Sequence, residues 1–150
     1  MRRGVVWWGA IGAIVAGAQF VRFDRTAPPV HGDLLAPPEV AHTLRGACYD
    51  CHSNETVWPW YSQIAPFSWL IQRDVEEGRR RLNFSVWDEY ASDPGTASGK
   101  LNEIANSVAQ GGMAPGYYRM LHPAARLSDA QRELLRQWAQ EAAGQQRPHT

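Results

Sequence analysis

Past its N-terminus this chain has few of the residues that build cores. Between Thr26 and Thr150, 125 residues, there are 10 Leu, 3 Ile, 6 Val and 2 Phe. That is about 17%, below the ~20% at which a self-sufficient core becomes doubtful. The overall hydrophobic content of 44% hides the shortage, because a dense apolar block sits at the N-terminus. Surplus charge is also absent: 15 basic residues balance 15 acidic ones, for a formal net charge of zero. No clustered excess of Lys and Arg is left to neutralise phosphates, which argues against a nucleic-acid partner. The sequence shows no period-two strand pattern, internal repeat or low-complexity tract. A length of 150 residues suits one small domain. Its core must therefore be completed by tryptophan (Trp58, Trp60, Trp69, Trp87 and Trp138) or by a large apolar cofactor.

The N-terminal block divides the chain. Arg2 and Arg3 precede Gly4–Val21, 18 residues of which only Gln19 is clearly polar. As a helix this run would reach about 27 Å, just short of the ~30 Å hydrocarbon core. Arginines before it and none inside predict a cytoplasmic N-terminus, with the rest of the chain across the inner membrane in the periplasm. Residues 1–25 are thus expected to be a transmembrane anchor. Trp7, Trp8 and the Phe20/Phe23 pair favour it over a cleaved signal peptide ending at Ala16-Gly17-Ala18. Residues 26–38, with Pro28, Pro29, Pro37 and Pro38, read as an extended tether; 39–144 form the domain and 145–150 a tail.

Within the domain the periodicity is helical. Val40 and Leu44 share a face of a short helix after Pro38, ending near Gly46. Pro66 opens a second helix with a stripe of Phe67, Leu70, Ile71, Val75 and Leu82. Ser85 precedes a short aromatic helix with Trp87 and Tyr90, stopped by Pro94-Gly95. Leu101, Ile104, Ala105 and Val108 mark a further helix ending at Gly111-Gly112. Ser128 and Gln131 form a capping box before the stripe Leu134, Leu135, Trp138 and Ala142. The predicted fold class is all-α.

The two cysteines carry the chemistry. Cys48-Tyr49-Asp50-Cys51-His52 is the C-x-x-C-H attachment pattern of haem c. Each thiol adds to one porphyrin vinyl group, and a short helical turn brings the neighbouring imidazole under the iron. Alternatives fit less well. Zinc would want a second ligand pair with its own spacing, where only scattered histidines occur. A thioredoxin-type dithiol would sit beside a βαβ pattern. A plain disulfide would leave His52 unexplained and the core short of apolar mass.

For the far side of the iron, Met113 in Gly111-Gly112-Met113-Ala114-Pro115-Gly116 is the first candidate. The glycines let backbone approach a flat macrocycle, and a thioether is a soft neutral ligand. Met120 and His122 are the other candidates. His42 is expected on the surface of its helix, with His31 in the tether and His149 in the tail. Trp58, Trp60, Tyr61 and Trp69 are expected to wall the haem pocket, their indole N–H groups available to a propionate. Arg79-Arg80-Arg81 reads as a solvated helix end, where positive charge is favoured.

The run Ala47-Cys48-Tyr49-Asp50-Cys51-His52-Ser53-Asn54-Glu55-Thr56, together with Trp58-Pro59-Trp60-Tyr61, Ile64-Ala65-Pro66, Glu77-Gly78-Arg79 and Leu82-Asn83-Phe84-Ser85, resembles the bacterial haem-binding domain family. Its members are small, membrane-tethered, mono-haem c-type proteins. The resemblance extends from about Pro28 to Ala142 and includes Leu121-His122-Pro123-Ala124 with Leu127-Ser128. It implies a small cytochrome c-like helical domain with thioether bonds at Cys48 and Cys51. His52 would be the proximal iron ligand and Met113 the distal one. In the family a proline usually follows that methionine directly, whereas here Ala114 stands between Met113 and Pro115.

A non-enzymatic one-electron carrier serving redox partner proteins of a membrane chain is the leading expectation. A His/Met ligand pair raises the potential relative to bis-His. The alternatives are a haem enzyme or sensor with a labile sixth position, and a haem-bearing subunit of a larger membrane complex.

Overall fold

Proline and glycine set the ends of most helices in the computed structural model, which describes residues 2–21, 23 and 25–146. The regular structure among the described residues is all helical, with no strand. Helix α1 spans Arg2–Ala18, α2 Pro38–Ala47, α3 Tyr49–His52 and α4 Phe67–Arg81. They are followed by α5 at Trp87–Ala91, α6 at Pro94–Ala109, α7 at Gly116–Leu121 and α8 at Asp129–Gln145. Single 3₁₀ turns occupy Trp60–Gln63, Phe84–Val86 and Pro123–Ala125.

The main core lies where α6 and α8 pack along each other and α2 closes one end. Val40 and Leu44 of α2 are buried as their spacing predicts, against Leu101, Ile104 and Val108 of α6 and Leu135 of α8. The predicted capping box is formed in full, with Ser128 Oγ accepting from Gln131 N and the Gln131 side chain accepting from Ser128 N. Behind it Leu135, Ala139 and Ala143 are buried, while Leu134, Trp138 and Ala142 flank the core. Small residues on α8 let it lie close to α6, so part of the missing aliphatic bulk is replaced by close helix approach.

Two helices differ from the predicted pattern. Pro94 begins α6 as well as ending the preceding helix, because Asp93 caps it by accepting from Gly95 N and Thr96 N. In α4 the buried face is Ser68, Ile71, Val75 and Gly78, and Phe67 is exposed. That face repeats at the three- and four-residue spacing of a helix stripe, and Phe67 falls one position off it.

Residues 26–37 are extended, as their prolines require, yet they lie along the domain as a strap. His31 N donates to Ser85 O at 2.7 Å, Leu34 N to Phe84 O at 3.2 Å, and Trp87 N to Gly32 O at 2.8 Å. Gly32 takes φ +78, and a Cβ there would run into the Asp88 carboxylate. Leu34 is buried beneath the strap.

The expected transmembrane anchor is not supported. Helix α1 has 17 residues and ends in a turn at Gln19 and Phe20, so it reaches only about 26 Å of the ~30 Å needed. No helix among the described residues is long and apolar enough to cross a membrane. The helix exposes Trp7, Trp8 and Ile14, and Phe20 in the turn after it is exposed too. Just past the helix the Gln19 side chain exchanges bonds with Ala65 N and Ala65 O.

Candidate functional site

Between α2 and α3 the backbone makes one tight joint at Cys48. Its N–H donates to Leu44 O, and its carbonyl accepts from both Cys51 N at 3.2 Å and His52 N at 2.9 Å. This single turn puts the two thiols three residues apart on one helical face and His52 beside them. Neither cysteine is in a disulfide. Burial pushes both thiols up to about 12, with the neighbouring Cys51 adding to the shift at Cys48, and Asp74 and Asp50 at Cys51. They are therefore neutral thiols at physiological pH. Among the described residues no group of three or more His, Cys, Asp or Glu is placed to hold a bare metal ion.

His52 is oriented by the end of α4. Its Nδ1 lies 3.1 Å from Gly78 O and 3.1 Å from Leu82 O. Leu82 is the C-cap of α4 and its N–H also donates to Gly78 O, so the end of the helix presents both carbonyls to the ring. Burial lowers the His52 pKa while the two carbonyl bonds oppose the shift, so the ring is neutral at physiological pH. With Nδ1–H donating to backbone, Nε2 keeps a free lone pair, the arrangement typical of a metal-binding histidine. Phe84 holds the other side of the ring edge-on, at 6.2 Å between centroids.

The residues that make this geometry possible lie in the shorter motifs noted above. Gly78 packs on the cysteine turn so closely that a Cβ would sit 2.4 Å from Cys51 O. Arg79 is no solvated helix end: its Nε donates to Ser53 O at 2.7 Å and its Nη2 to Thr56 Oγ1 at 2.8 Å. It clamps the loop that leaves His52. Asn54 donates to Pro29 O and accepts from Asn83 Nδ2, while its N–H donates to Ser85 Oγ. Ser53, Asn54, Asn83 and Ser85 are all buried. Buried polar groups must find partners, and these find one another, joining the cysteine segment, the strap and the turn after α4.

Asp50 and Asp74 extend the same frame. Asp50 accepts from Val57 N at 3.0 Å and from the Tyr118 hydroxyl at 2.5 Å; Asp74 accepts from the Tyr117 hydroxyl. Burial, reinforced by these carboxylates, raises the pKa of both tyrosines, so they remain donors. Two consecutive tyrosines thus pin α7, and with it the loop carrying Met113, onto α3 and α4.

A cavity of about 520 Å³ opens beside the turn. Cys48, Cys51 and His52 line it together with Met113, Ala114 and Pro115; Leu44, Leu82, Phe84, Ile104 and Val108 supply apolar surface. Arg80, Arg81 and Lys100 bring positive charge to it and Asp50 and Glu103 negative charge; Glu77 pairs with both arginines and Glu103 with Lys100. The structure therefore gathers four of the sequence-derived site residues, Cys48, Cys51, His52 and Met113, around one space. Met113 remains 41% exposed, on a loop in which Gly111 takes φ +64.

The aromatic residues expected to wall this space do not line it. Trp60 is 73% exposed and Trp69 39%. Tyr61 is buried in a second cluster with Ile71, Val75 and Tyr118, against which Trp58 packs. Pro59, extended, precedes the 3₁₀ turn that carries Trp60 and Tyr61, and Arg25 lies over the Trp58 ring. Met120 lines a different cavity, and His122 stacks on Tyr118 with ring centroids 3.9 Å apart. His42 and His31 are exposed, and His149 lies outside the described residues.

The chain matches the haem-binding domain family over residues 13–141. That is most of its length: the chain belongs to this family and is a haem-binding protein. No curated protein and no solved structure matches it.

Proposed function

We propose that this haem-binding domain holds one haem of c type, attached covalently through Cys48 and Cys51, and works as a one-electron carrier outside the cytoplasm. The observation that carries the reading is the convergence of Cys48, Cys51, His52 and Met113 on one cavity of about 520 Å³, within the ordinary range for a cofactor pocket. Bound haem would supply a one-electron couple there. The residues of the chain provide everything around it. Both thiols, held neutral on one face, are available for thioether bonds. His52 Nε2 would hold the iron; it is fixed by the Gly78 and Leu82 carbonyls, whose bonds to Nδ1–H raise its basicity as a ligand. Met113 would supply a second ligand, on a loop held by the tyrosine bonds of α7. Arg80, Arg81 and Lys100 are suited to the propionates, since guanidinium and ammonium groups pair with carboxylates. The indoles first considered for that task stand elsewhere.

The Arg2/Arg3 and Gly4–Val21 pattern supports export to the periplasmic face of the inner membrane, with redox proteins of a membrane chain as partners. The short exposed α1 suits a membrane-associated or cleaved leader. A second reading has its own observation: Met113 is 41% exposed on a glycine loop, which suits a labile sixth position and a sensor or peroxidase-like role. A visible spectrum of the haem-loaded protein distinguishes the two. The carrier shows low-spin six-coordinate iron with a methionine-to-iron charge-transfer band, unchanged by carbon monoxide or cyanide. The labile site binds both.

A further inference from the structure

A second cavity, of about 270 Å³, lies between α7 and the first turns of α8, lined by Gly116, Arg119, Met120, Arg126, Leu127 and Arg132. Three of these six residues are arginines. Arg126 is fixed in place, its Nε donating to Arg119 O at 2.6 Å and its Nη2 to Met120 O at 2.8 Å, both carbonyls at the end of α7. These bonds leave its Nη1 free to donate. The Arg119 guanidinium has no hydrogen-bond or ion-pair partner among the described residues. Arg132 has one carboxylate, Asp129 at 3.4 Å, whose side chain is fully exposed.

Four other arginines of the chain lie on carboxylates. Arg45 lies on Asp33 and Glu55, Arg80 and Arg81 on Glu77, and Arg136 on Glu133. Residues 26–150 carry 11 basic and 14 acidic groups, so carboxylates are not scarce in the domain. Three guanidinium groups around one partly apolar space repel one another unless an anion enters. Leu127 is buried and gives the space one apolar wall.

We propose that this cavity is a binding site for a phosphate group. A guanidinium is a planar fork of donors that matches phosphate oxygens and stays charged at any physiological pH. A tetrahedral phosphate carries its oxygens out of one plane, so cationic groups on separate segments can each reach one, whereas a carboxylate offers two oxygens in a plane. The site is separate from the larger cavity but adjoins it across one peptide bond, since Pro115 lines one and Gly116 the other.

Two sources share this chemistry, free phosphate and a phospholipid headgroup, and two arms of one experiment separate them. In the first, the full haem-loaded chain is titrated calorimetrically with sodium phosphate at neutral pH against sodium chloride of equal ionic strength. One saturable site is expected. The double variant Arg119→Gln/Arg132→Gln should weaken it about tenfold or more, and Arg136→Gln should leave it unchanged. In the second arm, the same proteins are sedimented with phosphatidylglycerol or phosphatidylcholine vesicles. Loss in the double variant of a preference for phosphatidylglycerol identifies the headgroup as the source. A preference unaltered by the double variant, with the calorimetric site intact in the parent, identifies free phosphate. The proposal is overturned if no saturable phosphate site is found, if Arg136→Gln weakens binding as much as the double variant, or if polyglutamate binds there and phosphate does not.

Discussion

Replacing Gly78 by alanine tests the contact on which the whole site leans. Position 78 lies inside α4, where alanine is intrinsically better than glycine by about 0.5–1 kcal/mol. The added Cβ, however, would stand 2.4 Å from Cys51 O, 3.0 Å from Cys51 C and 3.2 Å from Cys51 Cβ. Those are largely backbone atoms of the cysteine turn and cannot rotate away. Ordinary contact begins at 3.4 Å, so α3 and α4 must separate by about 1 Å, an overpacking that typically costs 1–3 kcal/mol. The same movement draws the Gly78 and Leu82 carbonyls off His52 Nδ1, adding about 0.5–1.5 kcal/mol. The balance is a net loss of roughly 1–3 kcal/mol, or about 3–10 °C in Tm for a chain of this size. Gly99→Ala, in α6 with nothing within 4 Å of the new Cβ, is the control and should gain about 0.5–1 kcal/mol. Thermal unfolding of the haem-loaded proteins, followed by circular dichroism, reads both. If Gly78→Ala is as stable as Gly99→Ala, the packing between α3 and α4 described above is wrong.

Met113→Ala should convert the iron to a high-spin or ligand-exchanging form and lower its potential, while Met120→Ala, whose side chain is 73% exposed beside the other cavity, should do neither; absorption spectroscopy and potentiometry check this pair. Tyr118→Phe removes the donor at Asp50 Oδ2, a bond to a charged group worth about 1.5–3 kcal/mol, so it should lower Tm and make the Met113 loop easier for carbon monoxide to displace; an unchanged spectrum and Tm would show that α7 is held in another way. Glu133 is held down to about 2 by bonds from Arg136 and Gln137, against ~4.3 in an unfolded chain. Because the folded value is depressed, its contribution is present above about pH 4.3 and is lost as pH falls toward 2. Acid unfolding of Glu133→Gln should therefore be less steep over that interval, and an identical acid limb would contradict the assignment.

The turn that gathers the candidate site was legible because its spacing is local: Cys48, Cys51 and His52 fall within one helical turn, and a five-residue motif records that. Helix ends were legible for the same reason, through Pro38, Gly111 and the Ser128/Gln131 box. What could not be read was anything set by partners distant in sequence. The role of Gly78 depends on a turn 27 residues earlier, and the clamp at Arg79 on a carbonyl 26 residues away. A glycine or arginine at a helix end has ordinary local explanations, and those hide such roles. The tryptophans misled because indole burial does not say against what. Trp58 and Tyr61 found α4 and α7 rather than the cavity, and the close packing of α6 on the small face of α8 supplied core that counting Leu, Ile, Val and Phe had overlooked.

The central claim is that Cys48 and Cys51 bind haem covalently, and intact mass spectrometry after acid-acetone extraction tests it most directly. The chain should retain its colour in the precipitated protein and weigh the polypeptide plus one haem. Haem that leaves with the acetone, or a mass equal to the bare polypeptide, would contradict it.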